Sequence, residues 1–206
     1  MEKRFDEGFD NILTYHYDEE YIQGKQFRAQ NLVQSLGRKR YSLNGKWHFA
    51  PDVFKSTVRT HWYEEVKNNR FGEPIPYDYD FEAWDTIDVP GVWNNQRAEY
   101  ALYEGAGVYF RTFSGEELER AGFRTSENTR IWLRLEGANY ETRIWLNGQY
   151  LGRHLGGFTP FCVELSSLKK EENRLLILVD NTRKGEQVPS AHYDWFNRIQ
   201  QEVPRF

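Results

Sequence analysis

Apolar and polar positions alternate most regularly between Thr129 and Asn181. In "TRIWLRLEG" the side chains of Ile131, Leu133 and Leu135 fall on one face, and Arg130, Trp132 and Arg134 on the other. That period of two is the mark of a half-buried strand. "ETRIWLNGQYLGRH" continues the pattern on both sides of Asn147-Gly148, a pair suited to a two-residue hairpin whose primed turn needs positive φ at both central positions. "PFCVEL" follows, and then "NRLLILVDN", which is apolar on both faces and should be a central strand. Upstream, "SLNGKWHFAPD" reads as a turn and a strand, and in "WDTIDVPGVWN" Ile87 and Val89 alternate with Asp88 before Pro90 and Gly91 end the strand. "GAGVYFRTF" is a further strand, and "SGEELERAGF" after it predicts a short helix capped by Ser114.

Strands this short, turns this frequent and the lack of alternating long helices predict an all-β fold, an antiparallel two-sheet sandwich of jelly-roll type. Residues 1–40 are polar with scattered aromatics and carry little periodicity, so they read as an extended arm. Residues 41–206 form the sandwich domain. Residues 62–83, with two prolines and several charges, read as a long insertion carried on the edge of the sandwich. The Arg143 and Trp145 face of its strand is assigned to packing against a neighbouring layer or domain before sugar. Gly148, Gly152, Gly156 and Gly157 supply turn or bulge geometry, and Phe158 and Pro160 fix the entry to the next strand.

Composition narrows the function classes. Lys plus Arg number 27 against 31 Asp plus Glu, a formal charge of -4 with the signs mixed, so no positive field exists for a phosphate backbone. Nucleic acid is excluded as a partner on that ground. Aromatic residues make up 17% of the chain, with seven Trp and thirteen Tyr, more than one core needs; interfaces and sugar faces use such rings. Cys162 is the single cysteine, which excludes an internal disulfide, and it reads as an inert packed thiol. "MEKRFDEGFDNILTYHYDEE" carries charges where a signal peptide is apolar, so the chain as it stands reads as cytoplasmic. No stretch approaches the roughly 20 apolar residues that span a bilayer.

No P-loop, dinucleotide fingerprint, HExxH, EF-hand or GxSxG pattern occurs, so no cofactor, no metal and no catalytic residue is assigned. His16, His48, His61, His154 and His192 are too scattered for a local metal motif. Glycosidic hydrolysis uses a pair of carboxylates, about 5 Å apart for retention or about 6.5 to 9.5 Å for inversion. Glu64-Glu65 and Asp78-Tyr79-Asp80 sit in the charged insertion and read as solvated surface. Asp194 stands in the strip "HYDWFN" between Tyr193 and Trp195, with Asn197 close by. It suits a carboxylate that accepts sugar hydroxyls while a ring covers the apolar face of a pyranose. A structural loop, in which the rings pack and the polar groups satisfy backbone, explains the same residues.

"SLNGKWHFAPD", "IDVPGVWN", "YEGAGVYFRTF", "LRLEGANYETRIWLNGQYLGRHLGGFTPFCVEL", "NRLLILVDNTR" and "YDWFN", in this order and spacing, resemble the N-terminal sugar-binding domain of glycoside hydrolase family 2, the β-glucuronidase and β-galactosidase group. "YIQGKQFRAQNLVQSLGRKRYS" is similar to the lead-in arm of bacterial members. The resemblance implies a jelly roll followed by an immunoglobulin-like domain and a (β/α)8 barrel that carries both catalytic glutamates of a retaining mechanism. A barrel takes roughly 250 residues, which this chain cannot accommodate. Those domains are therefore expected partners, in cis or as a separate chain. The resemblance further implies that Asp194 bonds substrate hydroxyls, with Trp195 and Asn197 around it, and that the loop bearing Asn94 approaches the same pocket; an asparagine that merely orients its loop fits Asn94 equally.

One departure stands out. After "DWFN" the family continues with a Gly-Gly-Ile-x-Arg stretch into its last strand, whereas here "RIQQEVPRF" follows. This is the pattern of a sandwich missing its last strand, with an open edge through which a homo-oligomer could form. The sequence leads to a noncatalytic domain of a β-glycosidase, soluble and binding a β-linked sugar or oligosaccharide, with periplasmic or secreted locations open to its parent enzyme. A freestanding carbohydrate-binding module and a structural interaction sandwich are the alternatives.

Overall fold

The fold is described from a computed structural model for residues 37–64, 67–68, 71–75, 80–124 and 129–183. Strand β1 (Gly45–Pro51) starts at the Asn44-Gly45 turn. It is followed by the one-turn helix α1 (Ser56–Arg59), the two-residue strands β2 (Lys67–Asn68) and β3 (Pro74–Ile75), and β4 (Thr86–Val89). Then come β5 (Ala106–Ser114), helix α2 (Gly115–Arg120), β6 (Trp132–Leu135), β7 (Glu141–Leu146), β8 (Gln149–Leu155), β9 (Phe161–Glu164) and β10 (Glu172–Asp180). Ser114 caps α2 by accepting from the Glu117 N–H, as its sequence predicts.

The strands form a six-stranded antiparallel sheet in the order β4-β1-β5-β10-β7-β8, a two-stranded sheet β6-β9 and the small pair β2-β3. Between the two larger sheets lies the core, to which the six-stranded sheet gives Phe49, Ile144, Leu175 and Ile177, the other Phe161 and Val163, and the residue before β6, Ile131. The antiparallel sandwich is thus observed. Asn147 and Gly148 take φ of 51° and 80°, so the β7-β8 hairpin turns as its sequence dictates. Phe49 is the aromatic centre, its ring 5.4 Å from Trp93, 5.2 Å from Tyr100 and 5.0 Å from Tyr109. Gly107 faces it because a Cβ there would lie 2.7 Å from the Phe49 ring.

Strand β10 lies between β5 and β7, and its alternate residues serve two cores. Leu175, Ile177 and Val179 face the sandwich interior; Leu176 and Leu178 face outward into a second apolar cluster with Val108, Phe110 and Trp145. Tyr63 and Phe81 cover that outer face, with Val58, Trp62 and Trp84 packed beside them. The insertion expected on the edge therefore packs, through these residues, on a face, because six apolar side chains of β5, β7 and β10 there, Ala106 included, need removal from water. Trp145 stacks on Tyr63 at 5.0 Å and 9°, which accounts for its burial by the chain's own insertion. Phe158 is 76% exposed, so it does not anchor the entry to β9 by packing. Cys162 is buried, as expected of a packed thiol.

At the sheet edge, the Gln96 side chain accepts from the Asp88 N–H at 2.6 Å and donates to the Asp88 carbonyl at 3.0 Å. A side-chain amide here takes the place of a neighbouring strand. The arm over residues 1–36 and the tail with its departure from the family pattern lie outside the described residues.

Candidate functional site

Antiparallel pairing brings Pro51 of β1 beside Gly107, and Asp180 of β10 beside Ala106 and Glu141. One end of the six-stranded sheet is therefore made of the exit of β1, the entry of β5 and the exit of β10. The loop from Pro90 to Gly105 reaches this end after leaving β4. Its root is Trp93, buried against Phe49, and the next residue is Asn94. The Asn94 Nδ2 donates to the carbonyls of Tyr100 at 2.7 Å and Tyr103 at 3.0 Å. One amide thus ties the beginning of the loop to its end, which is the loop-orienting role open to it from sequence.

Tyr103 is fixed in turn by its hydroxyl, which donates to the Ala106 carbonyl at 2.6 Å. Burial, with the nearby charges of Asp52 and Asp180 adding to it, raises the phenol to about 12. It stays a protonated hydrogen-bond donor at neutral pH and cannot act there as a general base. The chain leaving β10 is tied to the same loop: the Gly105 N–H donates to Asn181 Oδ1 at 2.7 Å, and the Asn181 N–H to the Gly105 carbonyl at 3.1 Å. Glu104 accepts from the Arg183 N–H and Nε, both at 2.8 Å. Around this end Phe54 and Leu102 are 78% and 97% exposed.

Of the residues singled out by sequence, Asn94 lies at this end, where the chain leaving β10 is described as far as Arg183. Asp194, Trp195 and Asn197 lie outside the described residues. Sequence reasoning missed Tyr103, Glu104, Asn181 and Arg183. The contact between Glu104 and Arg183 spans 79 positions and has no local signature. Among the described residues no group of three His, Cys, Asp or Glu side chains is placed to hold a metal ion. None of their helices is long and apolar enough to cross a membrane.

Comparison with known proteins agrees with the fold. Residues 40–203 match the family model for the sugar binding domain of glycosyl hydrolases family 2. A putative β-glucuronidase of Formosa agariphila is 28% identical over 179 residues, covering 84% of this chain and 21% of the relative. A β-galactosidase of Thermoanaerobacterium thermosulfurigenes is 26% identical over 160 residues, 75% of this chain and 19% of its own length. Among solved structures, a β-glucuronidase from an uncultured Clostridium superposes with a TM-score of 0.58 at 26% identity, over 77% of this chain and 25% of that one. A Ruminococcus gnavus β-glucuronidase, at 20% identity and a TM-score of 0.56, shares the fold. The chain spans only about a fifth of the length of these curated relatives. With the sandwich, its strand pattern and the match over residues 40–203 in agreement, the chain belongs to glycosyl hydrolase family 2, as the sugar-binding domain of its β-glucuronidase and β-galactosidase group.

Proposed function

We propose that this chain is the noncatalytic N-terminal domain of a retaining β-glycosidase acting on terminal β-glucuronides or β-galactosides, and that it lends the assembled enzyme part of its substrate rim. The observation that carries this reading is the convergence at one end of the sandwich. Asn94 holds the Tyr103 carbonyl, Asn181 holds Gly105, and Arg183 holds Glu104, so the root of the segment bearing Asp194 is fastened to the Asn94 loop. That fastening is what supports a joint role for the segment and the loop.

In this reading Asp194 accepts substrate hydroxyls, Trp195 and Asn197 shape its surroundings, and Asn94 keeps the neighbouring loop in register. A carboxylate that fixes the sugar orients the scissile bond for two carboxyl groups supplied by a barrel domain, and orientation is itself a large part of the rate. The exposed Phe54 and Leu102 at this end suit a surface that meets the immunoglobulin-like and barrel domains, in cis or as a separate chain. An open aromatic platform, which a freestanding module would use, is not what the Trp145 face offers, since Tyr63 and Phe81 cover it.

The test has two arms. Alone, the chain should leave nitrophenyl β-glucuronide and β-galactoside intact; turnover that survives repurification and responds to Asp194→Asn sinks the noncatalytic assignment. Joined to the remaining domains, Asp194→Asn should lower kcat/KM by about 10- to 100-fold, the value of one or two hydrogen bonds to a charged group. An unchanged kcat/KM would remove Asp194 from the rim.

A further inference from the structure

The outer face of the six-stranded sheet holds a shallow concavity at the end away from the Asn94 loop. Alternation and register determine its floor. Thr112 of β5 and Arg174 of β10 are cross-strand partners, and Phe110 and Glu172 lie two residues away on the same face. The turn Asp80-Phe81-Glu82 forms a wall, and these residues line one shallow concavity. The Arg174 guanidinium lies over two rings that stack at 4.3 Å, 5.6 Å from the Phe81 centroid and 5.3 Å from that of Phe110.

What distinguishes the concavity is unused polar capacity. Arg174 shares it with the carboxylates of Asp80, Glu82 and Glu172, yet no ion pair closes between the cation and any of them. Glu82, Glu172 and Thr112 make no side-chain hydrogen bond among the described residues, while Asp80 Oδ1 accepts from the Glu82 N–H at 2.9 Å. A smaller adjoining cavity shares Phe81, Phe110 and Arg174 and reaches Trp145, whose buried Nε1–H has no acceptor among the described residues. Acceptors and donors are thus held apart beside an aromatic pair, with a surplus of negative charge.

We propose that this concavity binds a neutral sugar, a hexopyranose or the end of a β-linked oligosaccharide, as an accessory site. Hydroxyl groups are the chemistry that satisfies both partners: they donate to Glu82 and Glu172, and their oxygens accept from Arg174. The buried Phe81 and Phe110 rings back the Arg174 guanidinium and hold it in place for those oxygens. Three carboxylates against one guanidinium repel an anionic uronate, so the preference is opposite to that of a uronide pocket. The proposal is independent of the rim containing Asp194.

The experiment is an amide-detected NMR titration of the full 206-residue chain with methyl β-galactoside, methyl β-glucoside, cellobiose and glucuronate. The neutral sugars should shift the amides of Thr112, Glu172 and Arg174 with affinity of roughly 1 to 10 mM, the range of a shallow site with a few hydrogen bonds. Glu172→Gln and Glu82→Gln should each weaken binding about threefold to tenfold, as expected for losing a charged acceptor. Arg174→Gln should do the same, and Asp194→Asn should leave these shifts unchanged. Because Arg174 packs on two rings, its variant is read only with an unchanged melting temperature; the exposed Glu82 and Glu172 serve as the primary variants. Silence of the three amides, shifts insensitive to Glu82→Gln and Glu172→Gln, or a stronger response to glucuronate than to the neutral sugars each overturns the proposal. Loss of the shifts in Asp194→Asn does so too, whereas failure of the rim would appear only in the kinetics of the assembled enzyme.

Discussion

Asn94 shows how one amide can decide the shape of a loop. Its Nδ2 satisfies the Tyr100 and Tyr103 carbonyls at once, and no aliphatic replacement can do so. Asn94→Ala should destabilise the chain by about 1 to 2 kcal/mol in urea unfolding, the range for lost hydrogen bonds that leave carbonyls unpaired. A change inside about 0.5 kcal/mol, the scatter of ordinary surface substitutions, would mean that water replaces the amide there without loss. His154 is a second residue with a measurable signature. It is buried, stacked on Phe161 at 4.0 Å, and burial lowers its pKa below the ordinary 6.5. The folded state therefore binds a proton less readily than the unfolded chain. The stability that results is complete above the unfolded pKa and is lost as pH falls toward the depressed folded value. Thermal melts between pH 7 and pH 5 should drop more steeply for the wild type than for His154→Gln; parallel curves would count against a buried neutral imidazole.

Elements here are shaped as much by their neighbours as by their own pattern. Strand β10 could be read from sequence as central because it is apolar on both faces, and it does lie between β5 and β7. The same double pattern meant that the outer face needed a cover, and Tyr63 and Phe81 provide it. Their placement was not legible, since charges and prolines around them mask the few rings that matter. Tyr63→Ala should cost about 2 to 4 kcal/mol, the loss of a buried ring with its stacking on Trp145. It should also raise acrylamide quenching of tryptophan emission. Unaltered stability and quenching together would show that the sheet face does not rely on this cover. The hairpin at Asn147-Gly148 is the opposite case, local in origin: positive φ at both positions is demanded by a two-residue turn, and these residue types accept it.

At the scale of the molecule, the family follows from residues 40–203, and the chain spans only about a fifth of the length of its relatives. The role proposed for it, one side of a pocket, asks for a firm end more than for a deep cleft. Here that end is built from contacts such as Glu104 with Arg183, between segments 79 positions apart. In sequence, Asp194 and its flanking residues were legible as candidate types from the strip itself, and Asn94 only through the family resemblance. The fastening around Asn94 was not, because Tyr103, Glu104, Asn181 and Arg183 are ordinary polar or aromatic residues until the sheet brings them together.

Alternation, turn residues and caps act over a few neighbouring positions, so the sequence by itself determined the strands, the β7-β8 hairpin, the capped helix α2 and the antiparallel sandwich. Which faces are covered, which loop fastens to which strand end, and where unpaired polar groups gather depend on contacts between distant positions. Only the tertiary structure decided those: Tyr63 over Trp145, Asn181 against Gly105, and Arg174 beside three carboxylates it does not neutralise.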